Sequence, residues 1–186
     1  MDSLNSSRIA INKTAMFTLG AWALGNIAAN STLLALQSNL PSTERGSAYY
    51  FQQMNIFWNV VNLGLAVSGL YGAYTESPAG ISLFESIDKQ SSLERILLLN
   101  AGLDCAYITA GAWMLERSTN KQDASSLWKG YGQSLLLQGA FLLVFDIVVY
   151  GIHHTTSEPL LRELLSHVNV SILSGGGLGL GVTVRW

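Results

Sequence analysis

Charge is what this sequence has least of. Asp, Glu, Lys and Arg make up 12% of its 186 residues, about half the share of an ordinary soluble domain, and they balance to −2. That inventory cannot assemble a basic surface, and no zinc-finger spacing occurs, so nucleic acid is excluded as a partner. The single cysteine, Cys105, rules out an intramolecular disulfide. It lies within an apolar stretch and is expected to pack as a small hydrophobic side chain. Pro41, Pro78 and Pro159 are the only prolines, and none falls inside a long apolar stretch. With no inverted repeat either, the broken-helix pairs on which many transporters build their sites are missing. Neither a nucleophile-elbow nor a zinc-protease motif occurs. His153 and His154 are adjacent. Neighbours on a helix point apart, so the two cannot readily share a metal or a haem, and they are expected to reach for water at an interface. The pattern calls for no metal and no cofactor.

What remains is apolar: 49% of the residues are hydrophobic. Four stretches are long enough to cross a bilayer, which takes roughly 20 residues: Thr14–Leu36, Tyr49–Tyr74, Leu93–Leu115 and Trp128–Tyr150. None has Lys or Arg in its middle. Arg8 and Lys13 precede the first, as in a signal peptide, but the run is long. Ala28-Ala29 also lacks a small residue at the right distance upstream, so the segment is read as a retained helix. Short links force antiparallel neighbours. The expected fold is all-α, an antiparallel four-transmembrane-helix bundle over residues 1–155.

The link from Thr75 to Ser92 carries Ile81, Leu83, Phe84 and Ile87 among Glu85, Asp88 and Lys89, the pattern of a short interfacial helix. Ser91 with Glu94 reads as a capping box for the third span. Residues 156–186 form a tail. Pro159 starts a short amphipathic helix with Leu161, Leu164, Leu165 and Val168 on one stripe. Two runs of period 2 then flank Gly175-Gly176-Gly177 and read as a β-hairpin around a glycine turn. The triple glycine is not a phosphate loop, because neither a Lys-Ser/Thr pair nor a helix follows it.

The four spans carry amides and acids in an ordered way. Gln52, Asn55, Asn59 and Asn62 are spaced three, four and three apart, the repeat of one helix face. Ala66, Gly69 and Ala73 continue that face with small residues. Asn26 and Asn30 lie one turn apart on the first span. Asn100, Asp104 and Tyr107 share a face on the third, and Gln138 and Asp146 stand on the fourth, with His153 seven residues later near its end. A carboxamide in hydrocarbon costs kilocalories without a partner, so these faces are expected to turn inward along a shared seam. A rise of about 1.5 Å per residue puts Asn26, Asn59, Asn62 and Asp104 near the bilayer middle. It puts Asn100 and Asp146 lower, which gives two layers. No Lys or Arg within the spans can pair with either aspartate. Each must donate as a neutral acid, face water or hold a cation. Ala21/Gly25, Gly64/Ser68, Gly69/Ala73 and Ala106/Ala110 are spaced four apart and mark candidate close contacts, within one chain or between chains.

Three stretches, 53–63 (Gln53 to Leu63), 100–107 (Asn100 to Tyr107) and 138–146 (Gln138 to Asp146), together resemble an uncharacterised family of small bacterial four-helix integral membrane proteins found notably among the Bacteroidetes. The likeness runs over roughly the first 155 residues. Its Asn and Asp positions are its most specific part. The resemblance implies the four-span topology and no activity.

The leading reading is therefore a non-catalytic structural or accessory membrane protein with a hydrogen-bonded polar core. Proton or cation translocation along the seam is the alternative, followed by binding of a small ligand or lipid between the helices. An acid-pair catalyst built on Asp104 and Asp146 is a remoter one. The partners are the lipid bilayer and a homo-oligomer or larger membrane assembly. Six Lys and Arg lie on the side of the termini (Arg8, Lys13, Lys89, Arg95, Arg162, Arg185) and four on the other (Arg45, Arg117, Lys121, Lys129). That imbalance favours cytoplasmic termini in a bacterial inner membrane.

Overall fold

The computed structural model describes residues 2–37, 39–120, 124–166, 168–174 and 178–184. Four helices carry the four apolar stretches: α1 (Asp2–Leu36), α2 (Ser47–Thr75), α3 (Leu83–Asn120) and α4 (Ser125–Ser166). All four are long and apolar enough to cross a membrane. Each outruns its apolar stretch. At about 1.5 Å per residue, α1 is roughly 50 Å long, well beyond a hydrocarbon core of about 30 Å.

That overrun corrects two expectations. The amphipathic stretch before the third span is not a separate interfacial helix but the opening turns of α3. Its cap is Ser82, whose Oγ accepts the Glu85 backbone N–H at 3.2 Å, so Ser91 and Glu94 lie inside the helix. The turn before it needs Gly80, which sits at φ +80°, a conformation that favours glycine. Likewise, α4 runs through Pro159 instead of a new helix starting there. A proline inside a helix forfeits one backbone bond, here the one that the Thr155 carbonyl would have accepted. Beyond α4, strands β1 (Val168–Ser174) and β2 (Leu178–Val184) pair antiparallel, Val168 opposite Val184. The triple glycine between them lies outside the described residues.

The helices form two antiparallel hairpins, α1 with α2 and α3 with α4, joined where α2 packs beside α4. Although consecutive, α2 and α3 keep their backbones apart: no pair of their Cα atoms comes within 8 Å, and Trp58 meets Tyr107 across the gap. The buried residues of α3 explain this. Gln90, Leu97, Asp104 and Gly111 are buried at seven-residue intervals, a narrow stripe that can face one neighbour only. Glycines bring that neighbour close. A Cβ on Gly111 would stand 2.8 Å from the Gly132 carbonyl oxygen, and one on Gly139 would stand 2.9 Å from Ile108 Cγ1. Gly130 meets the backbone of Ser47 and Phe51 in the same way. These contacts were not among the expected small-residue pairs. At Gly25 and Gly64, which were, an added Cβ would meet nothing within 4 Å, whereas at Gly69, also expected, it would run into the Met16 side chain of α1.

Polar and apolar residues are distributed inside out relative to a water-soluble bundle. Large apolar side chains such as Phe57 (61%) and Leu65 (58%) are exposed, while Asn5, Arg8, Asn55, Asn59, Gln138 and Asp146 are buried. Cys105, expected to pack, is exposed as well. Hydroxyls on exposed faces bond back to their own helix. Thr18 donates to the Thr14 carbonyl at 2.9 Å, and Thr109 to that of Cys105 at 2.8 Å. A polar group can therefore tolerate an apolar surrounding.

Candidate functional site

The polar face of α2 is buried as its spacing predicts, with Gln52, Asn55, Asn59 and Asn62 all inside. Its hydrogen bonds are unevenly shared. Asn55 Oδ1 accepts from Ser134 Oγ at 3.0 Å and from Gln138 Nε2 at 2.8 Å. Gln138 Oε1 in turn accepts the Trp22 indole N–H at 3.1 Å, and the Trp22 ring stacks on Phe141 at 3.8 Å. This cluster ties α1, α2 and α4 together. Asn59 instead donates to the Asn55 carbonyl on its own helix at 2.8 Å. Asn26 and Asn30 also bond their own helix, at 2.9 and 2.8 Å. Cross-helix bonds were expected from all three. An amide four residues from a carbonyl on the same helix finds a partner without any neighbour's help.

Toward the termini the seam opens into a cleft of about 740 Å³ between α2 and α3, floored by α1 and α4. The gap between the two helices creates it. Trp58 and Tyr107 close its upper end, ring centroids 4.8 Å apart. Asn62, Asn100, Asp104 and Asp146 line its depth, and Arg8, Glu76, Asp88 and Lys89 line its lower end. Its lips are exposed apolar residues, among them Leu65, Ile96 and Leu103.

Asp104 and Asp146 line the same cleft and are near enough to influence each other, so they belong to one site and not to the two layers expected. Side chains lean toward the amino terminus of their own helix. On antiparallel helices Asp104 leans down and Asp146 leans up, and the two converge. Polar atoms at this depth stay unmatched. Asn62 Nδ2, Asp104 Oδ2 and Trp58 Nε1 are buried with no hydrogen-bond partner among the described residues. Asn62 and Asp104 are each only 2% exposed. Asn55 Oδ1 is thus doubly bonded, but Asn55 Nδ2, Gln52 Oε1 and Asn59 Oδ1 are also buried without a partner among the described residues; what sets Trp58, Asn62 and Asp104 apart is that they line the cleft. Asn100 and Tyr107 are half-buried on the same wall.

Below the cleft lies a second polar cluster that the pattern of the spans did not reveal. Arg8, only 4% exposed, donates to Glu76 at 2.9 and 3.3 Å and to Asn5 Oδ1 at 3.2 Å. Asn5 donates to Ser86 Oγ at 3.0 Å, and Lys89 reaches Glu76 at 3.0 Å. Gln90 Nε2 donates to Glu94 Oε1 at 2.8 Å, and Ser157 Oγ donates to the same oxygen at 3.2 Å. His153 is buried here with both ring nitrogens unpartnered among the described residues, which corrects its expected place at the water interface. It sits on the inner stripe of α4, seven residues after Asp146. That spacing was the one available signal. For Asn5 and Arg8 there was none, because they precede the apolar run.

Burial pushes the Glu76 carboxyl up, but hydrogen bonds from Arg8 and Lys89, with their positive charges, outweigh it and hold the group below its usual value. A folded value below the unfolded one makes a contribution to stability that is present above about pH 4.5. It is lost as pH falls through the folded value. The thermal midpoint is therefore expected to fall in acid below that point, and Arg8→Gln is expected to shrink the fall. An acid limb of unchanged size in Arg8→Gln would mean that the Arg8–Glu76 pair is not what stabilises this end.

A family model described as a family of unknown function, DUF6992, matches residues 18–147. The matched region includes Asn55, Asn59, Asn62, Asp104, Gln138 and Asp146. No curated protein and no solved structure matches the chain.

Proposed function

For a chain that belongs to DUF6992, a family whose description assigns no activity, we propose from geometry that it is an integral membrane bundle binding a small amphipathic ligand in the cleft between α2 and α3. The observation that carries this reading is the buried pair Asn62 and Asp104, whose unpartnered polar atoms lie in the wall of a cleft of about 740 Å³. An unmet buried polar atom costs about 1–3 kcal/mol, and these two open onto the cleft, where a bound molecule can meet them. The volume falls within the range of small-molecule sites, which are largely apolar with a few placed polar groups.

A bilayer setting is supported by the exposed apolar surface and by aromatic residues gathered at two levels. Arg117 lies over Trp113 and Trp128 at one level, and Lys13 over Tyr74, 4.1 Å from the ring centroid, at the other. The excess of Lys and Arg on the side of the termini supports placing them in the cytoplasm of a bacterial cell, with the bundle in the inner membrane. Cys105 tests the setting directly. It is exposed on the protein surface near the middle of α3, so in intact vesicles of either orientation a water-soluble maleimide is expected to leave it unlabelled until the protein is unfolded. Prompt labelling would place this face in water and end the membrane reading.

The binding reading predicts a co-purifying molecule. Ile96→Trp puts a larger side chain at an exposed lip of the cleft. Native mass spectrometry of the protein released from nanodiscs is expected to find a ligand on the wild type and at least tenfold less on Ile96→Trp. Equal occupancy of the two would sink the reading. A proton path along the bundle interior fits the geometry less well. Leu97 lies between Gln90 and Asp104 on α3, and Val149 lies between Asp146 and His153 on α4. Both belong to the buried apolar core but also line the cleft, so the obstacle to a path through the bundle is the Trp58–Tyr107 pair that closes the cleft's upper end.

A further inference from the structure

We propose that the cleft selects a lipophilic organic cation: a quaternary or protonated onium centre on an apolar body, with Asp104 and Asp146 as counter-ions and the Trp58–Tyr107 pair as its aromatic wall. This rests on the binding reading above and adds the chemical class.

Charge balance along the cleft makes the case. At the lower end Arg8 and Lys89 face Glu76 and Asp88, two positive groups against two negative. Arg8 and Lys89 are both committed to Glu76, at 2.9 and 3.0 Å. Deeper in, the groups that face the acid pair are neutral on every side: Asn12 and Met16 on α1, Asn62 on α2, Asn100 on α3, and Leu142 and Phe145 on α4. Two carboxyls that influence each other can share one proton, and the pair then carries one negative charge that no side chain in the cleft answers. In a low-dielectric site such a charge calls for a cation.

The rest of the wall decides which cation. An inorganic ion needs several oxygen ligands, yet no group of three or more His, Cys, Asp or Glu side chains is gathered for a metal among the described residues. Most of the cleft's wall surface is apolar, which matches an apolar body. Trp58 and Tyr107 line the cleft with ring centroids 4.8 Å apart, and a cation within about 6 Å of an aromatic face gains further attraction. The Asn62 amide and the Trp58 N–H remain as donors to one acceptor on the ligand. Exposed Leu65, Ile96 and Leu103 at the lips open the cleft sideways, the route a membrane-dissolved molecule would take.

Two probes of one shape and opposite charge test this. Tetraphenylphosphonium and tetraphenylborate are titrated by equilibrium dialysis against the full chain in phosphatidylcholine nanodiscs, with empty nanodiscs subtracted. Saturable binding of one tetraphenylphosphonium per chain is expected, with tetraphenylborate at least tenfold weaker. Asp104→Asn and Asp146→Asn should each weaken the cation at least tenfold, whereas Asp104→Glu should keep most of the affinity. Should the variants fail to fold, the comparison of the two probes on the wild type still decides. Equal affinity for the two probes, both lost in Ile96→Trp, would overturn the charge preference and leave the cleft as a binding site. Absence of saturable tetraphenylphosphonium binding would overturn the inference outright, while the co-purified ligand would still report on the cleft. Cation binding unchanged in Ile96→Trp would place the probe elsewhere and would also overturn it.

Discussion

Adding one methyl group at Gly132 or Gly111 is expected to lower the unfolding free energy by about 2–3 kcal/mol, the upper part of the range for overpacking. The reason is what the new Cβ would meet. At Gly132 it lies 2.8 Å from the Gly111 carbonyl oxygen and 3.1 Å from the Leu115 backbone nitrogen. At Gly111 it lies 2.8 Å from the Gly132 oxygen and 3.0 Å from the Leu136 nitrogen. Backbone atoms cannot swing aside as a side-chain tip can, so α3 and α4 would have to separate. That separation would also draw Asp104 away from Asp146. Gly64→Ala supplies the control. Its Cβ meets nothing within 4 Å, and alanine is favoured over glycine in a helix by about 1 kcal/mol, so this variant should be neutral or slightly more stable. Unfolding in mixed micelles of rising SDS fraction measures all three. Equal stability of Gly132→Ala and Gly64→Ala would show that the α3–α4 backbones do not touch where the glycines lie.

Asn55→Leu is expected to have the next largest effect, about 2–3 kcal/mol of lost stability. Asn55 Oδ1 is the shared acceptor for Ser134 at 3.0 Å and Gln138 at 2.8 Å. Leucine would strand both donors in a buried place, and an orphaned buried donor costs about 1–3 kcal/mol. Interhelical hydrogen bonds in bilayers average only about 0.6 kcal/mol, because the separated helices find other partners, so the lower half of the combined range applies. Asn26→Leu is the matched control. Asn26 Nδ2 donates only to the Trp22 carbonyl of its own helix at 2.9 Å, so the change removes no link between helices and should cost under about 1 kcal/mol. If the two variants unfold alike, the cluster around Asn55 does not hold α2 to α4.

What could be read in advance followed from how local the signal is. The four helices are written in the length of the apolar runs, and the inward face of α2 in the three-four-three spacing of its amides. Both depend only on helix geometry within one segment. Asp104 and Asp146 were identifiable as inward groups for the same reason. Their placement in separate layers was wrong because depth along an axis ignores the tilt of the Cα–Cβ bond, which bends the two side chains toward each other. Asn26, Asn30 and Asn59 bond their own helices because a local carbonyl was within reach. Spacing alone does not distinguish that partner from one on a neighbouring helix.

The chain's composition and periodicity, taken alone, determined four long apolar helices and the polar stripes upon them, since those properties arise from residues a few positions apart. Only the assembled bundle decided that α2 and α3 stand apart, that Arg8 turns inward to Glu76, and that His153 is enclosed. Those outcomes rest on glycine contacts such as Gly111 with Gly132 and on ion pairs between residues 68 positions apart. Register between helices is a property of two surfaces meeting, and no single segment contains it.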